Sequence, residues 1–160
     1  MAKKLTNLAL LTACALMLSY IESLIPLPFP IPGIKLGLAN LASVFALYRL
    51  SYKDALLISA VRVLISGFLF TTPVSMIYAF SGALFSLSVM ALMKRTNRFS
   101  VTFISCTGGM AHNLAQVTIS YFIVSHLGIF SYLPALLISG LITGLIIGML
   151  SDIAIRRIPK

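Results

Sequence analysis

Residues 99–151 read FSVTFISCTGGMAHNLAQVTISYFIVSHLGIFSYLPALLISGLITGLIIGMLS, without a single Lys, Arg, Asp or Glu. A membrane-spanning helix needs ~20 apolar residues, so this stretch is too long for one helix and suits two. The turn between them is predicted at 126–128, where His-Leu-Gly interrupts the apolar run. The sequence therefore predicts helices over 99–125 and 132–155.

The charges in the rest of the chain mark the ends of further helices. Lys and Arg together number 12 and Asp and Glu only 3, and most of the basic residues fall in clusters that flank apolar segments. Such clusters are typical of cytoplasmic loops. We therefore predict an all-α integral membrane protein, a single transmembrane domain over 1–160 with both termini in the cytoplasm. Its six predicted transmembrane helices are 5–25, 35–50, 54–70, 74–93, 99–125 and 132–155.

The composition excludes an ordinary soluble domain. Hydrophobic residues make up 59% of the chain and charged residues 9%, whereas soluble domains carry about 25% charged residues. The lipid bilayer must therefore surround most of the side chains. A net charge of +9 would favour nucleic-acid binding in a soluble protein, but here the charge belongs to the loops, so no nucleic-acid partner is expected.

The two cysteines, Cys14 and Cys106, lie in apolar segments and fit neither a disulfide framework nor a metal site. Residues 11–14, Leu-Thr-Ala-Cys, match a lipoprotein cleavage box. The apolar run continues past Cys14, however, and cleavage there would remove the first helix. We expect this segment to remain as a membrane helix.

A proline-rich outer loop follows the first helix. Residues 26–33 read PLPFPIPG, and alternate prolines favour a stiff, extended backbone. Glu22 and Lys35 flank this loop, so they could either form a salt bridge that pins it or contact a ligand. Asn40 is expected to face inward in the same outer half of the second helix.

Arg62 lies at the middle of the predicted third helix. A charge at this depth costs at least ~2.5–3.5 kcal/mol and normally faces a polar interior. Ser59 and Ser66 share its helical face. Two interpretations stay open: a structural role, as an ion pair with Glu22 or a snorkelling side chain, and a cationic contact to an anionic ligand.

The fifth helix carries the densest polar set, His112, Asn113 and Gln116. An isolated amide in a membrane helix often bonds a neighbouring helix, but three large polar groups in five residues also favour ligand contact. Gly109, one turn earlier, allows close backbone approach. No metal site is expected, because no second histidine or carboxylate lies at ligand spacing. Tyr78 in the fourth helix offers a further hydroxyl.

Two patterns of small residues predict close packing. Gly140, Gly144 and Gly148 recur every fourth residue in the sixth helix and favour contact inside the bundle. Ala9 and Ala13 form a shorter pattern in the first helix, which could instead receive another membrane subunit.

The sequence offers no motif for catalysis. It has neither a P-loop nor an aspartate-rich motif for diphosphate and magnesium, and three acids cannot build a two-metal or two-carboxylate site. We therefore expect no catalytic residue and a chain that binds and moves a molecule. ATP-driven transport would need partner subunits, since no ATPase motif is present.

Several of these residues form a pattern that is known from one family. The pattern comprises residues 31–40 (IPGIKLGLAN), 46–48 (ALY), 53–55 (KDA), Arg62 and His112-Asn113-x-x-Gln116. On the basis of these residues, the chain resembles the Gx transporter family, often labelled heptaprenyl diphosphate synthase component I. The resemblance extends over nearly the whole chain. That family is similar to the substrate-binding S components of energy-coupling-factor (ECF) transporters.

The resemblance implies an S-component-like bundle of six helices, with a ligand pocket near the outer face and the proline-rich loop as its lid. It also implies a transmembrane T subunit and two cytoplasmic ATPases as partners. ATP would be used by those ATPases, and no cofactor would be bound by this chain. Ala9 and Ala13 match the Ala-x-x-x-Ala pattern with which S components contact the T subunit.

The leading hypothesis is a non-enzymatic, substrate-binding subunit of an ECF-type importer in the bacterial cytoplasmic membrane. Its solute would be a small organic molecule such as a vitamin, a flavin-like molecule or an isoprenoid or quinone precursor. The alternatives are a non-catalytic membrane subunit associated with heptaprenyl diphosphate synthesis and a structural partner of a redox complex. The predicted substrate-binding residues are Arg62, His112, Asn113, Gln116, Lys35, Asn40, Glu22 and Tyr78.

Overall fold

The computed structural model describes residues 2–25 and 36–158, which are helical apart from short turns. A short 3-10 helix, Leu127–Tyr132, connects the last two of six α-helices. The α-helices are α1 (Ala2–Leu24), α2 (Asn40–Arg49), α3 (Tyr52–Phe70), α4 (Pro73–Arg95), α5 (Val101–Val124) and α6 (Leu133–Arg157). The prediction of an all-helical chain with six helices is confirmed.

Five of the six helices begin and end within three residues of their predicted ends, and α2 is the exception. It was expected over 35–50 but begins only at Asn40 and contains 10 residues. A helix of 10 residues is ~15 Å long, about half the thickness of a hydrocarbon core. The predicted start of the second helix at 35 is therefore corrected to Asn40, and this helix alone is too short to span a hydrocarbon core.

Three of the helices in the described residues are long and apolar enough to cross a membrane. They are Ala2–Leu24, Pro73–Arg95 and the continuous stretch Leu127–Arg157. This property is typical of a membrane protein. The expected six spans and the cytoplasmic position of both termini stay predictions.

Side-chain caps explain where several helices begin. Ser51, Thr72 and Ser100 precede α3, α4 and α5, and each hydroxyl accepts a hydrogen bond from the amide three residues on. Such a bond satisfies a backbone donor that has no partner within the helix. At α3, Ser51 also donates to the carboxylate of Asp54, as expected for an acid in the first turn.

The packing of α5 against α6 depends on glycines. A methyl group at Gly144 would come within 2.6 Å of the Ser105 carbonyl oxygen, and one at Gly148 within 2.7 Å of the Thr102 Cα. The two backbones are therefore too close for any larger side chain at these positions. The predicted role of the glycines of α6 in packing is confirmed.

The fully buried side chains lie between α2, α3, α4, α5 and α6. They include Leu47 of α2, Ile58 of α3, Leu87 of α4, Ile104 of α5 and Ser151 of α6. α1 contributes little to this core, since Ala15 is its one buried residue. The core is therefore built mainly by α2–α6.

The basic residues at one end of the bundle cap the carboxyl ends of helices. The Lys94 ammonium donates to the Leu47 carbonyl oxygen at 2.6 Å, next to the last turn of α2. The Arg49 guanidinium donates to the carbonyl oxygens of Ile155 and Ile158 at the end of α6. Cations at this position satisfy carbonyls that the helix leaves unpaired and interact favourably with its dipole.

We predict that Gly144→Ala destabilises the bundle, because the added methyl group would collide with the backbone of α5 rather than with a movable side chain. The expected loss is about 1–3 kcal/mol of unfolding free energy, measured by equilibrium unfolding in mixed detergent micelles. The matched control is Gly128→Ala, where the new methyl group would meet only the side chain of His126. Equal stability of the two variants would contradict the packing role.

Candidate functional site

Three adjoining cavities lead into the bundle from the end opposite the basic clusters. The outer cavity, about 330 Å³, lies between α1, α3 and α4. The middle cavity, about 70 Å³, is lined by residues of α1–α6. The inner cavity, about 30 Å³, continues toward the core. Glu22, Arg62 and Ala79 line both the outer and the middle cavity, so these two share one wall.

Arg62 is the central residue of this shared wall. It lies mid-helix in α3, and its Nη2 donates to the Asn40 side-chain oxygen at 3.3 Å. Its Nε is buried and has no hydrogen-bond partner among the described residues. A buried donor without a partner is costly and rare in folded proteins. The guanidinium therefore keeps hydrogen-bonding capacity beside the two cavities.

Glu22 holds the segment that leads into α2. Its two carboxylate oxygens accept hydrogen bonds from the amides of Gly37, at 2.7 Å, and Leu38, at 3.1 Å. Gly37 has a φ of +70°, a left-handed conformation that favours glycine. The carboxylate thus connects the end of α1 to the start of α2, and we refer to these two hydrogen bonds as the Glu22 clamp.

The Glu22 clamp bears on two predictions. A direct ion pair between Glu22 and Arg62 is not formed, since the ion pairs within residues 2–25 and 36–158 are Lys4–Asp54 and Arg156–Asp152. The second prediction, a salt bridge to Lys35 across the proline-rich loop, falls on residues outside the described ones. In the structure, the described partners of Glu22 are backbone amides.

The polar residues of α5 form the opposite wall of the middle cavity. His112, Asn113 and Gln116 all line it, as does Gly109 one turn earlier. The imidazole of His112 lies against α4, where a methyl group at Gly82 would come within 2.7 Å of its Nε2. The absence of a side chain at Gly82 therefore creates the space that the ring occupies.

Asn113 has a structural role as well. Its side-chain nitrogen donates to the Leu136 carbonyl oxygen of α6 at 2.6 Å, and the residue is buried. This is the interhelical hydrogen bond that an amide in a membrane helix is expected to form. Asn113 thus joins α5 to α6 at the floor of the cavity.

The outer cavity combines hydroxyl groups with apolar side chains. Ser19, Ser66 and Ser75 line it together with Phe70 and Met76. The Ser19 hydroxyl is buried and has no partner among the described residues, as is the case for Arg62 Nε. A volume of about 330 Å³ lies within the range of small-molecule sites.

The cavities bring together most of the predicted site residues. Glu22, Asn40, Arg62, His112, Asn113 and Gln116 all line the middle cavity. Tyr78 is half-buried in α4 and is not among the residues that line the described cavities. Ala9 and Ala13 are exposed on the outer surface of α1.

Several residues at or beside these cavities did not emerge from the sequence. Ser19 lies three residues before Glu22 on the same helical face, a spacing that could have identified it. Thr143 lies beside Gly144 in the glycine pattern of α6, and that pattern predicted only helix packing. Gly37 and Gly82 act through the absence of a side chain, and no local pattern distinguishes them from other glycines.

The acids other than Glu22 lie away from these cavities. Asp54 pairs with Lys4 at 2.8 Å, and Asp152 pairs with Arg156 at 3.0 Å. The described residues contain no group of three or more His, Cys, Asp or Glu side chains that could hold a metal ion. The chemistry of the cavity walls is that of hydrogen bonding around one cation and one carboxylate.

Comparison with known proteins assigns the chain to a family. The family model described as heptaprenyl diphosphate synthase component I matches residues 11–153. The chain therefore belongs to this family, in agreement with the resemblance found in the sequence. No curated protein and no solved structure gave a match.

We predict that Glu22→Gln opens the Glu22 clamp, because the amide nitrogen of glutamine would face a backbone N–H instead of accepting from it. Hydrogen bonds to charged groups contribute ~1.5–3 kcal/mol, so exchange of the Gly37 and Leu38 amides should become about tenfold faster or more. Hydrogen–deuterium exchange of a peptide containing both amides measures this. Ser23→Ala is the control, and equal protection in wild type and Glu22→Gln would refute the clamp.

Proposed function

We propose that this family member is the substrate-binding membrane subunit of an ECF-type importer for a small organic solute. The observation that carries the proposal is the buried Arg62 Nε without a partner, on the wall shared by the outer and middle cavities. In apolar surroundings a cation is retained chiefly where it has a functional partner. An anionic group of the solute is the partner that fits.

The cavities suggest how such a solute would be held. Its anionic group would lie at Arg62, and His112 and Gln116 would offer hydrogen bonds to a polar part in the middle cavity. Its larger, less polar part would occupy the outer cavity beside Phe70 and Met76. Vitamins, flavin-like molecules and isoprenoid or quinone precursors all combine polar and apolar parts in this way.

The exposed face of α1 supports an interaction with a T subunit. Ala15 is the single buried residue of this helix, while Ala9 and Ala13 lie exposed and present a flat surface. Small residues permit the close helix contacts on which association in membranes depends. In this proposal two cytoplasmic ATPases bind the T subunit and use the ATP, the chain itself binds no cofactor, and the assembly lies in the bacterial cytoplasmic membrane.

The family description favours a second candidate, a non-catalytic membrane subunit of a heptaprenyl diphosphate synthase. Prenyl chain elongation needs acids that hold magnesium and diphosphate. Asp54 and Asp152 are each engaged in an ion pair away from the cavities, which supports a non-catalytic role in either case. This candidate predicts a stable complex with a soluble prenyltransferase.

We predict that Arg62→Ala lowers retention of a co-purified solute at least tenfold, because a hydrogen bond to a charged group contributes ~1.5–3 kcal/mol. Native mass spectrometry of the protein, gently extracted from its own membrane, measures the retained molecule and its mass. Lys53→Ala is the control, since Lys53 is an exposed cation near the start of the same helix.

The outcomes of this experiment test the role of Arg62 and separate the two candidates. A solute retained by wild type and Lys53→Ala but lost from Arg62→Ala supports the importer subunit. Unchanged retention in Arg62→Ala would remove the proposed role of the guanidinium. A protein without solute that co-purifies with a soluble prenyltransferase would favour the synthase subunit.

We predict that Ala9→Trp, Ala13→Trp and their combination weaken co-purification of the T subunit, because an indole would hold the helices apart. Solute retention should be unchanged, since neither residue lines the cavities. The control is Leu64→Trp, which places an indole at an exposed position of α3. It tests whether a large side chain on the bundle surface is enough to weaken co-purification. Co-purification that persists in both alanine variants would contradict an interface at this face.

A further inference from the structure

A fourth cavity lies at the basic end of the bundle, between α1, α2 and the end of α6. It has a volume of about 530 Å³ and is separate from the three cavities described above. We refer to it as the basic cavity. Its walls include Lys3, Asn7, Leu10 and Leu11 from α1 and Phe45 and Arg49 from α2.

The walls of the basic cavity change from polar to apolar with depth. On α1, Lys3 comes first, Asn7 follows about one turn deeper, and Leu10 and Leu11 lie about two turns deeper, ~12 Å from Lys3 to Leu11. On α2, which runs in the opposite sense, Arg49 lies at the helix end and Phe45 one turn deeper. Each of these walls therefore has a cation near the end of the bundle and hydrocarbon one or two turns deeper, while Leu50 and Ile158 add apolar surface beside Arg49.

The charge of the basic cavity is not neutralised by acids of the described residues. No Asp or Glu lines it, and the acids near this end are engaged elsewhere: Asp54 with Lys4, and Asp152 with Arg156. The Arg49 guanidinium donates to carbonyl oxygens of α6, but its Nε is buried without a partner among the described residues. An anion is the group that would satisfy this site.

We propose that the basic cavity binds one anionic phospholipid of the membrane leaflet at this end of the bundle. The phosphate would lie at Lys3, Asn7 and Arg49, and an acyl chain would pack on Leu10, Leu11 and Phe45. Leu10 is 60% exposed, so the cavity is open to the surface from which a lipid would approach. A soluble anion would fill the charged level alone, whereas a phospholipid matches both levels. This inference does not depend on the proposed importer function.

The test is native mass spectrometry of the full-length protein with added phosphatidylglycerol or phosphatidylcholine. A Lys or Arg near an anionic membrane surface contributes ~1 kcal/mol, about a fivefold change in affinity. We expect tighter binding of phosphatidylglycerol than of phosphatidylcholine, and a loss of about fivefold for Lys3→Gln and for Arg49→Gln. Arg49→Lys should retain most of the preference.

Two controls keep the result interpretable. Arg98→Gln removes an exposed cation outside the basic cavity and should leave lipid affinity unchanged. Lys3→Gln changes an exposed side chain that has no hydrogen bond or ion pair among the described residues. This variant should therefore fold normally even if the Arg49→Gln variant does not.

Three results would overturn the proposal. The first is equal affinity of wild type for the two lipids, and the second is an equal loss in Arg98→Gln and Lys3→Gln, which indicates unspecific charge attraction. The third is the absence of bound lipid together with a protein subunit cross-linked through position 7 or 10. In that case the cavity is a protein interface.

Discussion

The burial of the Arg62 guanidinium within an apolar bundle is the constraint on which the site depends. A charge at mid-helix depth is stable only where other polar groups surround it. Here these groups come from three further helices: Glu22 of α1, Asn40 of α2 and the polar residues of α5. The cation thus explains why polar side chains that are far apart in sequence converge on one small cavity.

The rigidity of this arrangement comes from backbone contact between α5 and α6. The glycines of α6 bring the two helices close enough for Asn113 to reach the Leu136 carbonyl oxygen. At the other end, Arg49 and Lys94 fix the carboxyl ends of α6 and α2. α1 is joined to the bundle by Lys4, by the Glu22 clamp and by Ala15 in the core. The bundle therefore combines direct backbone contact between α5 and α6 with a first helix that adds little buried area.

The sequence predicted the helices well because charge and hydropathy act over whole segments. The uncharged stretch 99–151 and the basic clusters set the helix number, and the turn at 126–128 lies where the 3-10 helix begins. The start of α2 was missed, since Gly37 interrupts the helix through its φ angle and not through polarity. Most residues of the middle cavity were predicted, because buried polar groups stand out in an apolar chain. The partners of Glu22 were not predicted, because they are backbone amides, and almost every residue carries a backbone amide.

The depth of Arg62 has an electrical consequence for the proposed function. Ten residues of α3 precede Arg62 and eight follow it, so in the proposed topology an anion that reaches it from outside would have crossed roughly half of the membrane. About half of the membrane potential then acts on that anion, ~1 kcal/mol against binding per 100 mV with the inside negative. In this proposal Glu22 lies on the same wall as Arg62 and offsets its charge, so a bound anion adds one net negative charge to the site. Voltage would therefore act on the capture of the solute and also on a reorientation that carries the loaded site across the membrane.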